Sequence, residues 1–380
     1  MQALFEPKLT PGVSLGFLEN NRLVLRLKII YYCDAMTNQP HSQQPSEKNP
    51  VKAVGLISGG LDSTLAAKVV KDLGVDVHGV YFAMPWGCCD KAMAQAAADR
   101  IGIKFIVLQL DERYLEIVRN PKHGYGTAMN PCIDCRIHMF TRAAQYMKHI
   151  GAEFLFTGEV LGQRPMSQQR HSMKRIEKES GLEGRLLRPL CAQLLPPTIP
   201  EQEGLIDRNK LLNMSGRSRR PQIQLANDLT ITEYNQPAGG CLLTDRNFAS
   251  RMRDTLNYGY RNFRETIALQ WGRHFRINDK FKAIVGRDQR ENDALLRYAH
   301  CDDHVMIFAD KAKAGPTLLL KGEAPSDDIL STTAGLIQQF SKYKDDAPLE
   351  IECWPVSDRN QKRTIIARKL DASEIGKMYI

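Results

Sequence analysis

The chain has 380 residues, of which 43% are hydrophobic and 25% charged, and its formal net charge is +9. This length predicts two or three domains with sizeable cores, and the composition is typical of a soluble globular protein. No run reaches the ~18–20 apolar residues of a membrane-spanning helix, so we expect no membrane partner. Nine cysteines without a secretory signal predict a reducing, cytoplasmic location, where paired cysteines bind metals or act in catalysis.

The first 50 residues are predicted to be an N-terminal extension and linker. Residues 37–50 are rich in Gln, Ser, Pro and Asn, which is typical of disordered segments. Met36 stands directly before them, and one hypothesis is that translation begins there, so that residues 1–35 are a gene-model extension. The intact mass of the natively expressed protein tests this hypothesis, because a native species that begins at residue 1 would contradict it.

The loop that follows is the most informative motif. An apolar run over residues 51–57 leads into Ser58-Gly59-Gly60-Leu61-Asp62-Ser63, and a helical pattern covers residues 64–73. A strand, a glycine-rich turn and a helix bind phosphate well, because backbone N–H groups and the helix dipole point at the anion. The segment is not a Walker loop, since Gly-Lys-Ser/Thr is absent. A plain strand-to-helix turn is the alternative, but Asp62 and Ser63 favour a nucleotide site.

Strands and helices then alternate along the chain. The sequence predicts strands at 75–82, 104–110 and 153–157, and helices at 91–101 and 137–150. This alternation indicates an α/β fold in which a parallel sheet has helices on both faces. Ligands bind at the carboxyl ends of such strands, so the loops after Ile57, Phe82 and Thr157 should meet at one edge.

The middle of the chain is basic and only weakly periodic. Residues 163–273 contain 18 Lys and Arg against 11 Asp and Glu. A polyanionic partner and a merely solvated basic surface explain this surplus equally well. Residues 194–200 contain three prolines and are predicted to form an extended connector.

After Trp271 the pattern becomes that of a separate α+β domain of about 110 residues. It predicts one helix at 327–343 and short strands at 274–285, 304–308, 316–320, 349–355 and 361–369.

Cysteines supply the second group of candidate functional residues. Cys132 and Cys135 form a Cys-x-x-Cys motif, Cys241 follows Pro-Ala-Gly-Gly, and Cys88 and Cys89 are adjacent. A single Cys-x-x-Cys fits half of a zinc site, a redox dithiol or thiolate ligands of an iron–sulfur cluster. Beside an ATP loop, three thiols suit two schemes. Either a persulfide attacks an adenylated carbon, or three cysteines hold a cluster with one iron free to bind sulfur.

Four segments together resemble the PP-loop tRNA thiolation enzymes, which include the tRNA 2-thiouridylases and the 4-thiouridine synthetases. They are the loop at 58–63, Asn130-Pro-Cys-x-x-Cys135, Thr157-Gly-Glu-x-Leu-Gly-Gln163 and Pro237-Ala-Gly-Gly-Cys241, and the resemblance covers residues 51 to about 265. It implies an adenine nucleotide alpha hydrolase-like fold that binds ATP and Mg²⁺. It also implies that a uridine carbonyl of tRNA is adenylated and that sulfur then replaces AMP.

The resemblance implies roles for particular residues. The phosphates of ATP would contact Ser58, Gly59, Gly60, Asp62 and Ser63, with Asp62 serving Mg²⁺ or the pyrophosphate end. The adenine would lie against backbone near Tyr81, Phe82 and Gly158. Phosphate or substrate contacts would come from Gln163, Arg164, Ser167 and Gln168, and the catalytic residues would be Asp62, Cys132 and Cys241.

The chain departs from the two-cysteine 2-thiouridylase pattern, because it has Cys-x-x-Cys plus a third cysteine. This arrangement is closer to the cluster-dependent thiolases of the same superfamily. We therefore hypothesise that Cys132, Cys135 and Cys241 bind a 4Fe–4S cluster. The expected partners are tRNA and a sulfur donor, either a cysteine desulfurase, a sulfur carrier or inorganic sulfide. Cys88 and Cys89 are either alternate sulfur acceptors or structural.

Residues 273–380 resemble the RNA-binding domain of NFACT proteins, on Phe281-x-x-Ile-Val-Gly-Arg287-x-x-x-Glu-Asn-Asp293 and Ser341-Lys-Tyr343. The resemblance implies a tRNA-binding domain. Its candidate phosphate contacts are Arg273, Arg276, Lys280, Lys282, Arg287 and Arg290, with solvated surface charge as the alternative for each.

The predicted organisation is an extension (1–50), a PP-loop ATP-binding domain (51–225), a cysteine-bearing connecting segment (226–270) and an RNA-binding domain (271–380). The predicted function is ATP-dependent tRNA thiolation. One alternative is a PP-loop ligase that adenylates a small molecule, and another is a non-enzymatic RNA-binding protein with a relic loop.

Overall fold

The computed structural model describes residues 50–87, 90–234, 240–259 and 263–380. The predicted extension with Met36, the pair Cys88 and Cys89, and residues 237–239 before Cys241 lie outside the described residues. Residues 49–380 form one compact unit. None of the helices in these ranges is long and apolar enough to cross a membrane.

A five-stranded parallel sheet forms the first half, as predicted. Its order is β3-β2-β1-β4-β5, and the strands are Lys52–Leu56 (β1), Asp76–Ala83 (β2), Lys104–Gln109 (β3), Phe154–Thr157 (β4) and Leu186–Leu187 (β5). Leu56 pairs in register with both Val80 and Thr157. The carboxyl ends of β1 and β4 therefore meet where the strand order reverses, which is the usual ligand site of such sheets.

Helices cover both faces of this sheet. They are Leu61–Asp72 (α1), Lys91–Ile101 (α2), Glu112–Arg119 (α3), Cys132–His149 (α4), Arg170–Glu179 (α5), Ile199–Gln202 (α6), Arg220–Asp228 (α7) and Arg246–Tyr258 (α8). Leu65 of α1, Ala98 of α2 and Ala226 of α7 are buried in one core cluster. Phe140 of α4 and Ile176 of α5 are buried in another. This arrangement confirms the predicted α/β class.

The connector predicted at 194–200 is only partly extended. A turn of helix, α6, begins at Ile199, where the prediction placed irregular chain. The Thr198 backbone N–H donates to Glu201 Oε2 at 2.7 Å, which completes a capping box. Because proline is tolerated in the first turn of a helix, Pro200 fits this start. The predicted extended connector is therefore wrong at its C-terminal end.

The C-terminal part contains a six-stranded antiparallel sheet of order β11-β10-β8-β9-β7-β6. Its strands are Arg273–Arg276 (β6), Lys282–Val285 (β7), His304–Phe308 (β8), Leu318–Lys321 (β9), Glu350–Pro355 (β10) and Arg363–Ile366 (β11), and its helices are Gln289–Arg297 (α9), Asp327–Gln339 (α10) and Ala372–Met378 (α11). This architecture confirms the predicted separate α+β element.

The single strand predicted at 274–285 is wrong, because β6 and β7 form a hairpin. Asn278 Oδ1 accepts hydrogen bonds from the backbone N–H groups of Lys280 and Phe281, at 2.9 and 3.0 Å. Asparagine favours turns through such bonds to the backbone that follows it, so the chain reverses here.

Lys282 is not a surface cation, which corrects its prediction as a phosphate contact. Its side chain is buried, and its Nζ lies 2.8 Å from Asp254 of α8, which also binds Arg276 at 2.7 Å. Burial lowers the pKa of Lys282 to about 8. This cluster joins α8 to the C-terminal sheet.

Candidate active site

The loop at 58–63 is a glycine turn that closes onto the first turn of α1. Ser63 Oγ donates to the Gly60 carbonyl at 2.9 Å and accepts from the Ser58 backbone N–H at 3.2 Å. Gly59 has φ +75°, and a Cβ there would lie 2.7 Å from the Ala94 backbone nitrogen. Only glycine combines this backbone conformation with such close approach, which explains the first glycine of the motif.

The residue after β4, Gly158, packs against the first turn of α1. A Cβ on Gly158 would lie 2.5 Å from the backbone of Asp62, so Gly158 and the loop are in contact, as predicted. Tyr81 and Phe82 lie at the carboxyl end of the neighbouring strand β2, and the Tyr81 ring is buried 6.0 Å from that of Phe105. The predicted adenine position is therefore at this edge, although the adenine contacts themselves stay a prediction.

Asp62 is the charged centre of the loop. Its Oδ2 accepts a hydrogen bond from Gln163 Nε2 at 3.1 Å and lies 3.7 Å from Arg219. Its Oδ1 is buried without a hydrogen-bond partner among the described residues. Burial raises the pKa of Asp62, while Arg219, Gln163 and Arg164 lower it. A buried carboxylate oxygen without a donor suits a divalent cation, since Mg²⁺ prefers oxygen ligands.

The sequence analysis missed Arg219. A parallel bridge between Leu161 and Ser215 brings the segment that carries Arg219 beside the loop. The run Ser-Gly-Arg-Ser-Arg-Arg at 215–220 was visible in the sequence, but only as part of the basic surplus. Nothing local indicated which of its arginines faces Asp62.

Cys132 and Cys135 occupy the first turn of α4. Asn130 Nδ2 lies 3.1 Å from Cys132 Sγ, and the Tyr114 hydroxyl donates to Cys135 Sγ at 3.1 Å. Burial raises the pKa of the Cys135 thiol to about 11, against the lowering effect of Tyr114. The Sγ atoms of Cys132 and Cys135 thus each face a hydrogen-bond donor.

Backbone hydrogen bonds bring Cys241 to the same place. Met129 N–H donates to the Leu243 carbonyl at 3.0 Å, and Leu242 N–H donates to that of Trp86 at 3.2 Å. The segment that contains Cys241 is therefore fixed against the chain just before α4. The three predicted cysteines lie on one side of the site.

Tyr114 lies among these cysteines, and sequence reasoning missed it. Its side chain is 1% exposed. Burial raises the pKa of its hydroxyl, and Cys135, Cys241 and Cys132 raise it further. The residue belongs to α3, a helix that the sequence analysis did not predict, so no pattern pointed to it.

Arg164 lies between the loop and the cysteines. A Cβ on Gly240 would stand 3.9 Å from Arg164 Nη1, and the charge of Arg164 also lowers the pKa of Asp62. One guanidinium thus neighbours both the phosphate loop and the residue before Cys241. Ser167 and Gln168, predicted as substrate contacts, are buried, and their predicted role stays a prediction.

The Sγ atoms of Cys132, Cys135 and Cys241 do not all lie within 4.8 Å of one another. In the described ranges, one group of three metal-binding side chains has all its donor atoms within 4.8 Å of one another, and it is His300, Cys301 and Asp302. A tetrahedral zinc ion would need its sulfurs about 4 Å apart, given Zn–S bonds of about 2.3 Å.

A buried ion pair joins Glu159 to Arg188 behind the loop that follows β4. Glu159, in the Thr157-Gly-Glu motif, is 2% exposed and its Oε2 lies 3.2 Å from Arg188 Nε. Arg188 also binds Glu177 of α5 at 3.0 Å. We expect Glu159→Ala to destabilise the fold by about 3–5 kcal/mol, because it leaves Arg188 buried with one partner fewer.

Chemical denaturation measures this effect. The matched control is Asp72→Ala, which breaks the exposed pair of Asp72 with Lys68 and should cost under about 1 kcal/mol. Equal losses for the two variants would contradict a structural role for Glu159.

Two family models match separate parts of the chain. Residues 51–180 match the tRNA methyl transferase HUP domain, and residues 272–380 match the NFACT protein RNA binding domain. Each match covers less than half of the chain, and each segment is similar to the domain whose model it matches. Both resemblances stated from the sequence are confirmed. Cys241 lies outside both matched segments, so its role depends on the geometry described above.

The chain is also similar to tRNA-specific 2-thiouridylases. The protein of that name from Sulfurimonas denitrificans is 34% identical over 113 residues, which cover 28% of this chain and 33% of that protein. The one from Marinobacter nauticus is 33% identical over 146 residues, 35% of this chain and 36% of that protein. The chain thus spans about a third of the length of these relatives.

Among solved structures, the chain is similar to a 4-thiouridine synthetase in complex with RNA and bound ATP. The identity is 21% and the TM-score 0.31, over 48% of this chain and 52% of that one.

Proposed function

We propose that this protein is an ATP-dependent tRNA sulfurtransferase that makes a thiouridine in the cytoplasm. The observation that carries the proposal is that Arg164 links the two groups, the Asp62 loop and the cysteines: its charge lowers the pKa of Asp62, and a Cβ on Gly240, the residue before Cys241, would stand 3.9 Å from its Nη1. An ATP loop alone fits many activating enzymes. An ATP loop beside three thiols fits an activation whose product is taken by sulfur.

In the first step, the uridine carbonyl oxygen would attack the α-phosphorus of ATP. The bond between the α- and β-phosphates breaks, and pyrophosphate leaves. The Ser58–Ser63 loop would hold the phosphates through backbone N–H groups, and Arg219 and Arg164 would offset the negative charge of the pyrophosphate. The orphaned Oδ1 of Asp62 fits Mg²⁺, which would neutralise phosphate charge when bound.

In the second step, sulfur would add to the same uridine carbon, and AMP would leave with the oxygen. With inorganic sulfide as donor, no net oxidation occurs. With a persulfide on one cysteine, a second thiol must break the S–S bond, and a thiol reductant must then reduce the resulting disulfide. Cys132 and Cys241 are the proposed catalytic thiols in that route.

The cysteines also fit a 4Fe–4S cluster, which would supply iron chemistry for sulfur transfer when bound. Cys132, Cys135 and Cys241 would be its ligands. The fit rests on the donors from Asn130 and Tyr114 that face two of the sulfurs, since hydrogen bonds to ligand sulfurs tune such groups.

We propose tRNA as the substrate because of two similarities, one in the C-terminal segment and one to the 2-thiouridylases. Residues 272–380 match an RNA binding domain, and the chain resembles proteins named for tRNA 2-thiolation. The sulfur donor would be a cysteine desulfurase, a sulfur carrier or inorganic sulfide.

Release of AMP from ATP tests the proposal, with and without tRNA. We expect AMP to form in the presence of tRNA and to accompany a thionucleoside. AMP formation that does not depend on tRNA would favour a small-molecule ligase. No AMP formation under any condition would favour an RNA-binding protein with a relic loop.

We expect Arg219→Gln to lower kcat/KM for AMP formation about tenfold at pH 7. We also expect the acidic side of its pH–rate profile to shift to higher pH. Asp62 must be ionised to bind a cation, so activity falls as pH decreases through its raised pKa. Arg219 lowers that pKa, and removing it raises the pKa further. Arg217→Gln, at a nearby exposed position, is the matched control, and an unmoved acid limb in Arg219→Gln would contradict this role.

A further inference from the structure

Helix α5 presents a basic face to solvent. Arg170, Lys174, Arg175 and Lys178 are exposed, whereas Met173 and Ile176 pack into the core. We refer to these four cations as the α5 basic face. They lie within nine residues of helix, and the first and last are separated by about 12 Å along its axis.

Carboxylates of the same helix do not neutralise this face. Glu177 binds Arg188 at 3.0 Å, and Glu179 binds Lys122 at 2.7 Å. Within the described ranges, Lys174, Arg175 and Lys178 form no ion pair. Lys68 of α1, by comparison, pairs with Asp72 one turn away. The positive charge on α5 is therefore available to an external anion.

The basic face begins next to the proposed active site. The loop before α5 folds back on itself, because Gly162 N–H donates to the Gln168 carbonyl at 2.7 Å and Gln169 Nε2 donates to that of Arg164 at 3.3 Å. Arg164 neighbours Asp62 and Gly240. Positive charge thus continues from the site onto α5.

We propose that the α5 basic face binds the sugar-phosphate backbone of the RNA substrate and guides it toward the Asp62 loop. This inference rests on the proposed function, which it deepens by naming a second RNA contact outside the C-terminal domain. A row of cations with little apolar surface between them suits phosphates, which supply affinity without sequence specificity.

The test is a triple charge reversal, Lys174→Glu, Arg175→Glu and Lys178→Glu, in the full chain. We expect affinity for unmodified tRNA to fall about 10²-fold at 0.1 M salt, and the slope of log K against log salt to decrease by about 2. ATP binding should be unchanged, because none of the three contacts the loop. Fluorescence anisotropy with labelled tRNA over a salt series measures both quantities.

The matched control reverses three cations at the opposite edge of the parallel sheet, namely Lys52→Glu, Lys71→Glu and Lys148→Glu. It changes net charge equally and should weaken tRNA binding far less. Wild-type affinity in the α5 variant, or equal losses in both variants, overturns the basic face and leaves the proposed function intact. A wild-type protein that binds no tRNA overturns both.

Discussion

Asp62→Ala is expected to reduce tRNA-dependent AMP formation by about 10³-fold, since it removes several kcal/mol of charge stabilisation at the phosphates. The reason lies in the loop. One carboxylate oxygen of Asp62 accepts a hydrogen bond from Gln163, and the other is buried without a hydrogen-bond donor among the described residues. An oxygen in that environment suits a cation ligand. Quench-flow or steady-state measurement of AMP from labelled ATP gives the rate.

Asp72→Ala is the control for this variant, because Asp72 belongs to the same helix, is exposed and pairs only with Lys68 in the described residues. It should retain nearly the full rate. A fast Asp62→Ala enzyme would remove Asp62 from the chemistry, and equal loss in both variants would point to damage of the helix instead.

Cys135→Ser is expected to reduce thiouridine formation by at least about 10³-fold, while ATP-to-AMP turnover persists. The two steps use different groups, since the loop activates the carbonyl and the cysteines deliver sulfur. Serine retains the size of the side chain and the hydrogen bond from Tyr114, but it supplies no thiolate ligand for a cluster. Mass spectrometry of tRNA nucleosides and an AMP assay on the same sample separate the steps.

Cys301→Ser is the matched control, because Cys301 is an exposed cysteine of the C-terminal domain. It should produce wild-type amounts of thiouridine. If Cys135→Ser still thiolated tRNA, Cys135 would not be a cluster ligand, and the persulfide route through Cys132 and Cys241 would remain.

Anaerobic purification distinguishes the two sulfur schemes. A cluster predicts stoichiometric iron and sulfide and a brown protein whose colour is lost in Cys135→Ser. An active, colourless, iron-free enzyme would refute the cluster and leave the persulfide route.

The sequence was most informative where structure is set locally. The loop at 58–63 and the helix after it were predictable because glycine, strand and helix patterns lie within about twenty residues of one another. The order of strands and helices followed from the same periodicity. The cysteines were recognisable because Cys-x-x-Cys is a local motif.

The sequence was least informative where distant segments meet. Arg219 reaches Asp62 through a bridge between Leu161 and Ser215, and the pattern of either segment alone does not predict that contact. Tyr114 was missed because α3 has only eight residues. Helix α5 was missed because its abundant charges obscured the short apolar stripe of Met173 and Ile176.

The most direct test of the account is the nucleoside composition of tRNA that has been incubated with the pure protein, ATP, Mg²⁺ and sulfide. The account predicts a thiouridine whose amount matches the AMP released, and the same nucleoside should be missing from tRNA of cells that lack the gene. Unmodified tRNA in the first experiment together with unchanged tRNA in the second would contradict it.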